Sequence, residues 1–255
     1  MVDNWLNYIL SACMAPSCLL CGSTSLASAK DSLCHACRHD LPVLGECCLG
    51  CGNPLDNTPF ALGARPYPAL IQTRYCGRCL DKPLALDRCI SFFPYLSPFD
   101  RLVTNLKFNG KLGNARLLGE LFSDQLAMIL DSSETLPDAI VAVPLHASRM
   151  RQRGFNQSLE IARPIARRFG IPIELSLVQR RRATPPQSSL SLKQRQKNLR
   201  GAFSVITSIN CNHIVIVDDV MTSGSTVHAL ALALKRKGVK TVSAWCICRA
   251  RPLAK

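Results

Sequence analysis

IVIVDDVMTSGST, residues 214–226, is the stretch from which the fold of this chain is read. Four branched apolar residues run into two adjacent carboxylates, Asp218 and Asp219, and then into Thr-Ser-Gly-Ser-Thr. A short continuous apolar run closed by turn residues reads as a strand buried on both faces, as in a parallel sheet. A helix is expected directly behind it, over residues 227–237. Backbone N–H groups at a helix N-terminus, aided by the positive end of its dipole, make a site for a phosphate group. The hydroxyls of Thr222, Ser223, Ser225 and Thr226, arranged around Gly224, add donors. Carboxylates repel phosphate oxygens, so Asp218 and Asp219 are read as acceptors for sugar hydroxyls. The combination suits a ribose with a 5′-phosphate. An ordinary strand-to-helix turn with Asp and Thr caps is the competing reading. It leaves two adjacent acids in a basic protein unexplained.

Outward from this stretch the pattern repeats. CISFFPY (89–95), AIVAVP (139–144), HIVIV (213–217) and TVSAWCIC (241–248) read as strands. Residues 112–130, 155–169 and 227–237 read as helices, the first two from apolar residues at helical spacing. Pro164 inside the second helix predicts a kink or break. Strand and helix in alternation give an α/β fold with a parallel sheet flanked by helices. Ligands of such sheets bind beyond the carboxyl ends of the strands. Two loops emerge there: residues 144–157, behind AIVAV, and the stretch quoted first.

The chain has 255 residues, enough for one or two domains, and 47% of them are apolar. No apolar run approaches the roughly 18 residues of a membrane span. With Asp3 early, no basic residue before the first apolar cluster and Pro16 close behind, no signal peptide is expected, and a cytoplasmic location is. Lys and Arg number 31 against 17 Asp and Glu, a formal charge of +14. That balance favours an anionic partner such as nucleic acid or a phosphorylated metabolite, with a merely solubilising surface as the alternative. Residues 175–217 contain no acid at all.

Eleven of the 14 cysteines precede residue 90, which places a boundary there: a cysteine-rich region over 1–90 and the α/β domain over 91–255. Eight of the eleven form four Cys-x-x-Cys pairs: Cys18 and Cys21, Cys34 and Cys37, Cys48 and Cys51, Cys76 and Cys79. Two such turns supply the four sulfurs of a tetrahedral zinc site, so two structural zinc ions are expected. A disulfide scaffold needs an oxidising compartment that nothing here indicates. A thioredoxin-like pair would explain one Cys-x-x-Cys, not four, and an iron–sulfur cluster is the remaining rival. Sequential pairing of the knuckles is the simplest arrangement, with interleaved pairing open. Cys47 is an alternative ligand to Cys48, while Cys13 and Cys89 read as buried thiols.

The stretch at 214–226 resembles the 5-phosphoribosyl-1-pyrophosphate signature of type I phosphoribosyltransferases. More of the chain is similar to the ComF family (ComFC/GntX-like). The resemblance is carried by PSCLLCG at the start, the later CG and CGRCL knuckles, LKFNGK (106–111), VPLHASRMRQRGFNQS (143–158), RRRATPPQSSLSLKQRQKNLRGAF (180–203) and the phosphoribosyl motif. It implies an N-terminal double zinc ribbon, a phosphoribosyltransferase-like domain and a link to DNA uptake in natural competence. It further implies that Asp218 and Asp219 bind the ribose hydroxyls, that Thr222, Ser223, Gly224, Ser225 and Thr226 wrap the 5′-phosphate, and that Mg2+ accompanies phosphoribosyl pyrophosphate. The loop at 144–157 then becomes the pyrophosphate loop, with His146, Ser148, Arg149 and Arg153 as its contributors and Asn156 and Gln157 orienting it.

Two functions stand on this reading. One is a competence-type protein that binds phosphoribosyl pyrophosphate and works with single-stranded DNA or the competence machinery. The other is an active phosphoribosyltransferase with an unidentified acceptor. No residue reads as a catalytic base. The basic segment 180–200 serves either as a hood over pyrophosphate or as a track for a nucleic-acid backbone, although it lacks interleaved aromatics.

Overall fold

Ile214, Val215, Ile216 and Val217 are fully buried in the computed structural model. It describes residues 17–24, 32–55, 61–62, 74–130, 135–182, 199 and 201–250. The four lie in a strand longer than HIVIV: β8, His213–Met221, carries both aspartates within it. Its neighbours are β5 (Ala139–Ala142) and β9 (Thr241–Arg249), both parallel to it. On its other side β9 pairs in parallel with β3 (Arg88–Ile90) and β4 (Phe93–Pro94). The expected strand at 89–95 is thus two short ones. The expected parallel sheet flanked by helices is what forms.

Seven helices accompany the sheet among the described residues: α1 (His35–His39), α2 (Gly77–Asp81), α3 (Phe99–Asn109), α4 (Leu112–Ile129), α5 (Ala147–Arg153), α6 (Gln157–Phe169) and α7 (Ser225–Lys235). Alternate residues of a strand point to opposite faces, and two separate cores result. Val215, Val217, Trp245 and Ile247 pack with α3, α4 and α6; Ile214, Ile216, Ala244 and Cys246 pack with α7. Each core includes one pair of cysteine knuckles. Cys18 and Cys34 join the first, and Cys48, Cys51 and Cys79 the second. The cysteine-rich region therefore grips the sheet from both sides. Arg38 of α1 also reaches Asp124 of α4 at 2.9 Å, and Arg168 of α6 meets the same carboxylate at 2.6 Å. Two further pairs of short strands are antiparallel: β1 (Pro42–Val43) with β2 (Ala61–Leu62) in the cysteine-rich region, and β6 (Val178–Arg180) with β7 (Phe203–Val205) after α6.

The break expected at Pro164 does not occur: α6 runs through it. The proline ring is accommodated across the interface. A Cβ on Gly119 of α4 would sit 2.4 Å from Pro164 Cγ and 2.5 Å from the Ile161 carbonyl oxygen. The bare glycine backbone makes room for the proline ring, and the two helices close on each other. Gly119→Ala should accordingly destabilise the protein by about 1–3 kcal/mol. An unchanged urea midpoint for that variant would contradict this packing.

Candidate functional site

The mouth of the site lies where β5 and β8 end. Asn156 caps α6 by accepting from Ser158 N at 3.0 Å, and it donates to the Val143 carbonyl at 3.1 Å. That bond ties the helix start to the chain just beyond β5 and delivers Gln157 and Ser158 to the acid pair. Gln157 Nε2 donates to Asp219 at 3.2 Å, and Ser158 Oγ donates to Asp218 at 3.0 Å. Lys107, from α3, forms an ion pair with the second oxygen of Asp219.

The two carboxyls are differently placed. Asp219 is buried and Asp218 half-buried. Burial and the neighbouring Asp219 charge push Asp218 up to about 7. Burial would also raise Asp219, but Lys107 and the bond from Gln157 overcome it and hold that carboxyl below its usual range. Lys107 is itself raised: burial works against its charge, and Asp219 outweighs burial. One member of the pair is thus a fixed anion, and its neighbour carries a proton easily gained or lost.

Cations crowd this mouth. Arg153 Nη1 donates to the Gln157 side-chain oxygen Oε1 and lies over the Phe108 ring, 6.0 Å from its centroid. Burial and the nearby Arg149 charge both weaken its protonation. Arg180, on β6, is depressed by the same two causes and stacks on Phe203 at 5.5 Å. A parallel bridge between His146 and Arg180 draws β6 to the loop after β5. His146 caps α5, with Nδ1 2.7 Å from Ser148 Oγ. Of the expected loop residues, Arg153 feels the charge of Asp219 and Arg149 lies near Arg153 and Arg180, while His146 and Ser148 shape the turn. Most of the basic segment, 183–198 and 200, lies outside the described residues.

The second loop follows β8. Ser223 and Ser225 are buried, their hydroxyls 2.8 Å apart. Gly224 has φ 76°, a left-handed conformation that suits glycine. A Cβ there would meet Leu84 at 2.7 Å and Met221 at 2.8 Å. Gly224 leads into α7, which starts two residues before the expected 227 and takes Ser225 and Thr226 into its first turn.

The cysteines meet in the sequential pairing. Cys18, Cys21, Cys34 and Cys37 form one cluster, Cys48, Cys51, Cys76 and Cys79 another, and within each all sulfurs lie within 4.8 Å of one another. Sulfur separations of 3.8 Å (Cys21–Cys34) and 3.7 Å (Cys51–Cys76) match the roughly 3.8 Å edge of a tetrahedron with Zn–S bonds of about 2.3 Å. Both clusters fit structural zinc with all four positions taken by sulfur. Hydrogen bonds, led by that with Cys51, draw Cys48 down to about 4, while the same contact raises Cys51. Four such thiols ionise together only around a cation. Cys47 stands outside, its Sγ on the Gly45 carbonyl at 3.3 Å, and burial pushes it up to about 12. Cys89 is the buried thiol expected, and Cys13 lies outside the described residues.

Three contributors escaped the sequence reading. Lys107 sits in LKFNGK, a motif visible without any indication that it pairs with Asp219. Ser158 looks like a helix-start residue. Arg249, a lone arginine closing a strand, gave no signal, yet it is only 2% exposed and binds the Met221 and Thr222 carbonyls.

Comparison with known proteins agrees with this geometry. The phosphoribosyl transferase domain family matches residues 156–254, and the double zinc ribbon domain family residues 9–80. DNA utilization protein YhgH of Salmonella typhi is 37% identical over 233 residues, covering 91% of this chain and 96% of that protein. Competence protein F of Haemophilus influenzae is 30% identical over 225 residues, 85% of this chain and 96% of the relative. Competence protein ComFC of Streptococcus pneumoniae is 23% identical over 240 residues, 91% and 99% of the two chains.

Proposed function

The chain belongs to the ComF family, and from that membership we propose that it binds 5-phosphoribosyl 1-pyrophosphate and serves DNA uptake or utilization. The observation that carries the proposal is the set of cations Lys107, Arg153 and Arg180 acting on one buried and one half-buried carboxylate, with Arg149 near the two arginines and the hydroxyl-rich start of α7 following the same strand. Asp218 and Asp219 accept from the ribose hydroxyls. Residues 222–226 take the 5′-phosphate through N–H groups and hydroxyls. Arg149 and Arg153 meet the diphosphate, where charge-assisted bonds are strongest.

Both oxygens of Asp219 are engaged by Lys107 and Gln157. The protein thus offers Mg2+ chiefly the Asp218 carboxylate, and the ion enters with the diphosphate oxygens it prefers. The two cysteine clusters hold zinc as scaffold, which requires reduced thiols and accords with a cytoplasmic location. Single-stranded DNA or the competence machinery is the partner this reading assigns. Its support is the names of the relatives and the excess of basic residues. No helix among the described residues is long and apolar enough to cross a membrane.

Titration calorimetry with phosphoribosyl pyrophosphate and Mg2+ tests the site. Asp218→Asn/Asp219→Asn removes two charged acceptors and should weaken binding about a hundredfold or more. Equal affinity of variant and wild type would overturn the assignment.

A further inference from the structure

Three successive carbonyls at the start of the loop after β8 are held by two arginines. Arg249 Nη1 donates to Met221 O at 2.9 Å and to Thr222 O at 2.7 Å. Arg78 Nη2 donates to Ser223 O at 2.7 Å. In a planar trans peptide the C=O of one residue and the N–H of the next point in opposite directions. Fixing these carbonyls therefore turns the N–H groups of Thr222, Ser223 and Gly224 away from the guanidinium groups. Among the described residues those three N–H groups donate to no protein acceptor. A row of oriented N–H groups running into a helix start is a concavity for an anion.

Arg78 stands between Cys76 and Cys79, two ligands of the second cluster. The rest of that cluster and the chain that follows it meet the loop and its surroundings elsewhere. Arg249 Nε binds the Cys51 carbonyl at 2.9 Å, and Cys89 Sγ lies 3.3 Å from Met221 Sδ. Ala85 N donates to His228 Nδ1 of α7 at 2.9 Å. The second cluster, the segment behind it and the phosphate loop are one packed unit, in which Arg78 bonds to the loop backbone directly.

We propose that Arg78 is a positioning residue of the phosphate-binding loop, through which the second cysteine cluster sets the affinity for the 5′-phosphate of the ligand. The inference rests on the reading of residues 222–226 as the 5′-phosphate site. It makes the ribbon a working part of that site, and it concerns one end of the ligand only. The diphosphate end, held by the loop after β5, is left out of its reach.

The test measures ribose 5-phosphate and, separately, pyrophosphate with Mg2+ against the full chain as wild type, Arg78→Gln and Arg78→Lys, with zinc content determined for each. Arg78→Gln is expected to weaken ribose 5-phosphate about tenfold, to leave pyrophosphate within about twofold, and to keep the zinc of both clusters. Arg78→Lys, which keeps one charged donor for the Ser223 carbonyl, should recover part of the loss. Wild-type affinity of Arg78→Gln for ribose 5-phosphate overturns the proposal. So does an equal loss for both ligands, or loss of zinc from that variant, since Arg78 would then serve the fold at large. A wild-type protein that binds pyrophosphate but no ribose 5-phosphate defeats the reading of residues 222–226 itself, a result distinct from the others.

Discussion

Cys48→Ser is expected to leave one zinc ion per chain instead of two and to lower the thermal midpoint by about 10 °C or more. The Cys48 sulfur accepts the Cys76 N–H at 3.2 Å and is fully buried. It shares a core with Leu86, Met221 and Val227, so the damage extends beyond the ribbon into the packing beneath the phosphate loop. Serine offers a harder, poorly ionised oxygen in place of a thiolate, and the remaining three sulfurs lose most of the binding free energy that orders the knuckle. At this chain length about 1 kcal/mol shifts the midpoint by roughly 2–4 °C. Cys47→Ser is the control: its sulfur bonds to the Gly45 carbonyl and belongs to neither cluster, so both ions should stay. Full zinc content and an unchanged midpoint in Cys48→Ser would refute the metal assignment.

Lys107→Met should cost about 3–5 kcal/mol at neutral pH, because it leaves the Asp219 carboxylate buried without its cation. Asp219 has a folded pKa below its unfolded value, so the pair stabilises above about pH 4, and that contribution is lost as pH falls through the lower folded value. Lys107, raised in the fold, contributes below its unfolded value and loses this only at strongly alkaline pH. The gap between wild type and variant should therefore be wide from about pH 5 to 9 and shrink toward pH 3. Urea unfolding across that range measures it. A gap that does not change with pH would mean that Lys107 acts by the packing of its stem and not by its charge.

The parts legible in the sequence share a cause: each depends on spacing within a few residues. Two residues between cysteines fix both sulfurs on one turn, so Cys18 through Cys79 could be named as ligands before any coordinates. Ile214 to Val217 are apolar without a break, which only a doubly covered strand tolerates. What escaped is set by contacts between distant segments. Whether Cys47 or Cys48 ligates is decided by which of two adjacent side chains faces the knuckle 28 residues on. Pro164 reads as a breaker, and the close approach of its ring to Gly119 on another helix has no local signature. Lys107 belongs to a helix, Phe99–Asn109, that spacing did not reveal, and nothing local ties it to Asp219, 112 residues away. Arg78 and Arg249 bind backbone carbonyls, which carry no side-chain signature at all.

The strand order has a further consequence, for how the chain comes to be folded. β9, near the far end of the chain, stands between β3 and β8, and its pairing with Arg88–Ile90 joins residues about 155 positions apart. Closing a loop of that length has to precede the reward of the contact, which slows folding and lengthens the life of incomplete forms. During synthesis the knuckles emerge well before the strand that joins β3 to β8. Until then, eleven of the fourteen thiols are on a chain with no finished core. Early capture of zinc would protect eight of them from oxidation and mispairing while the ribosome works through the rest.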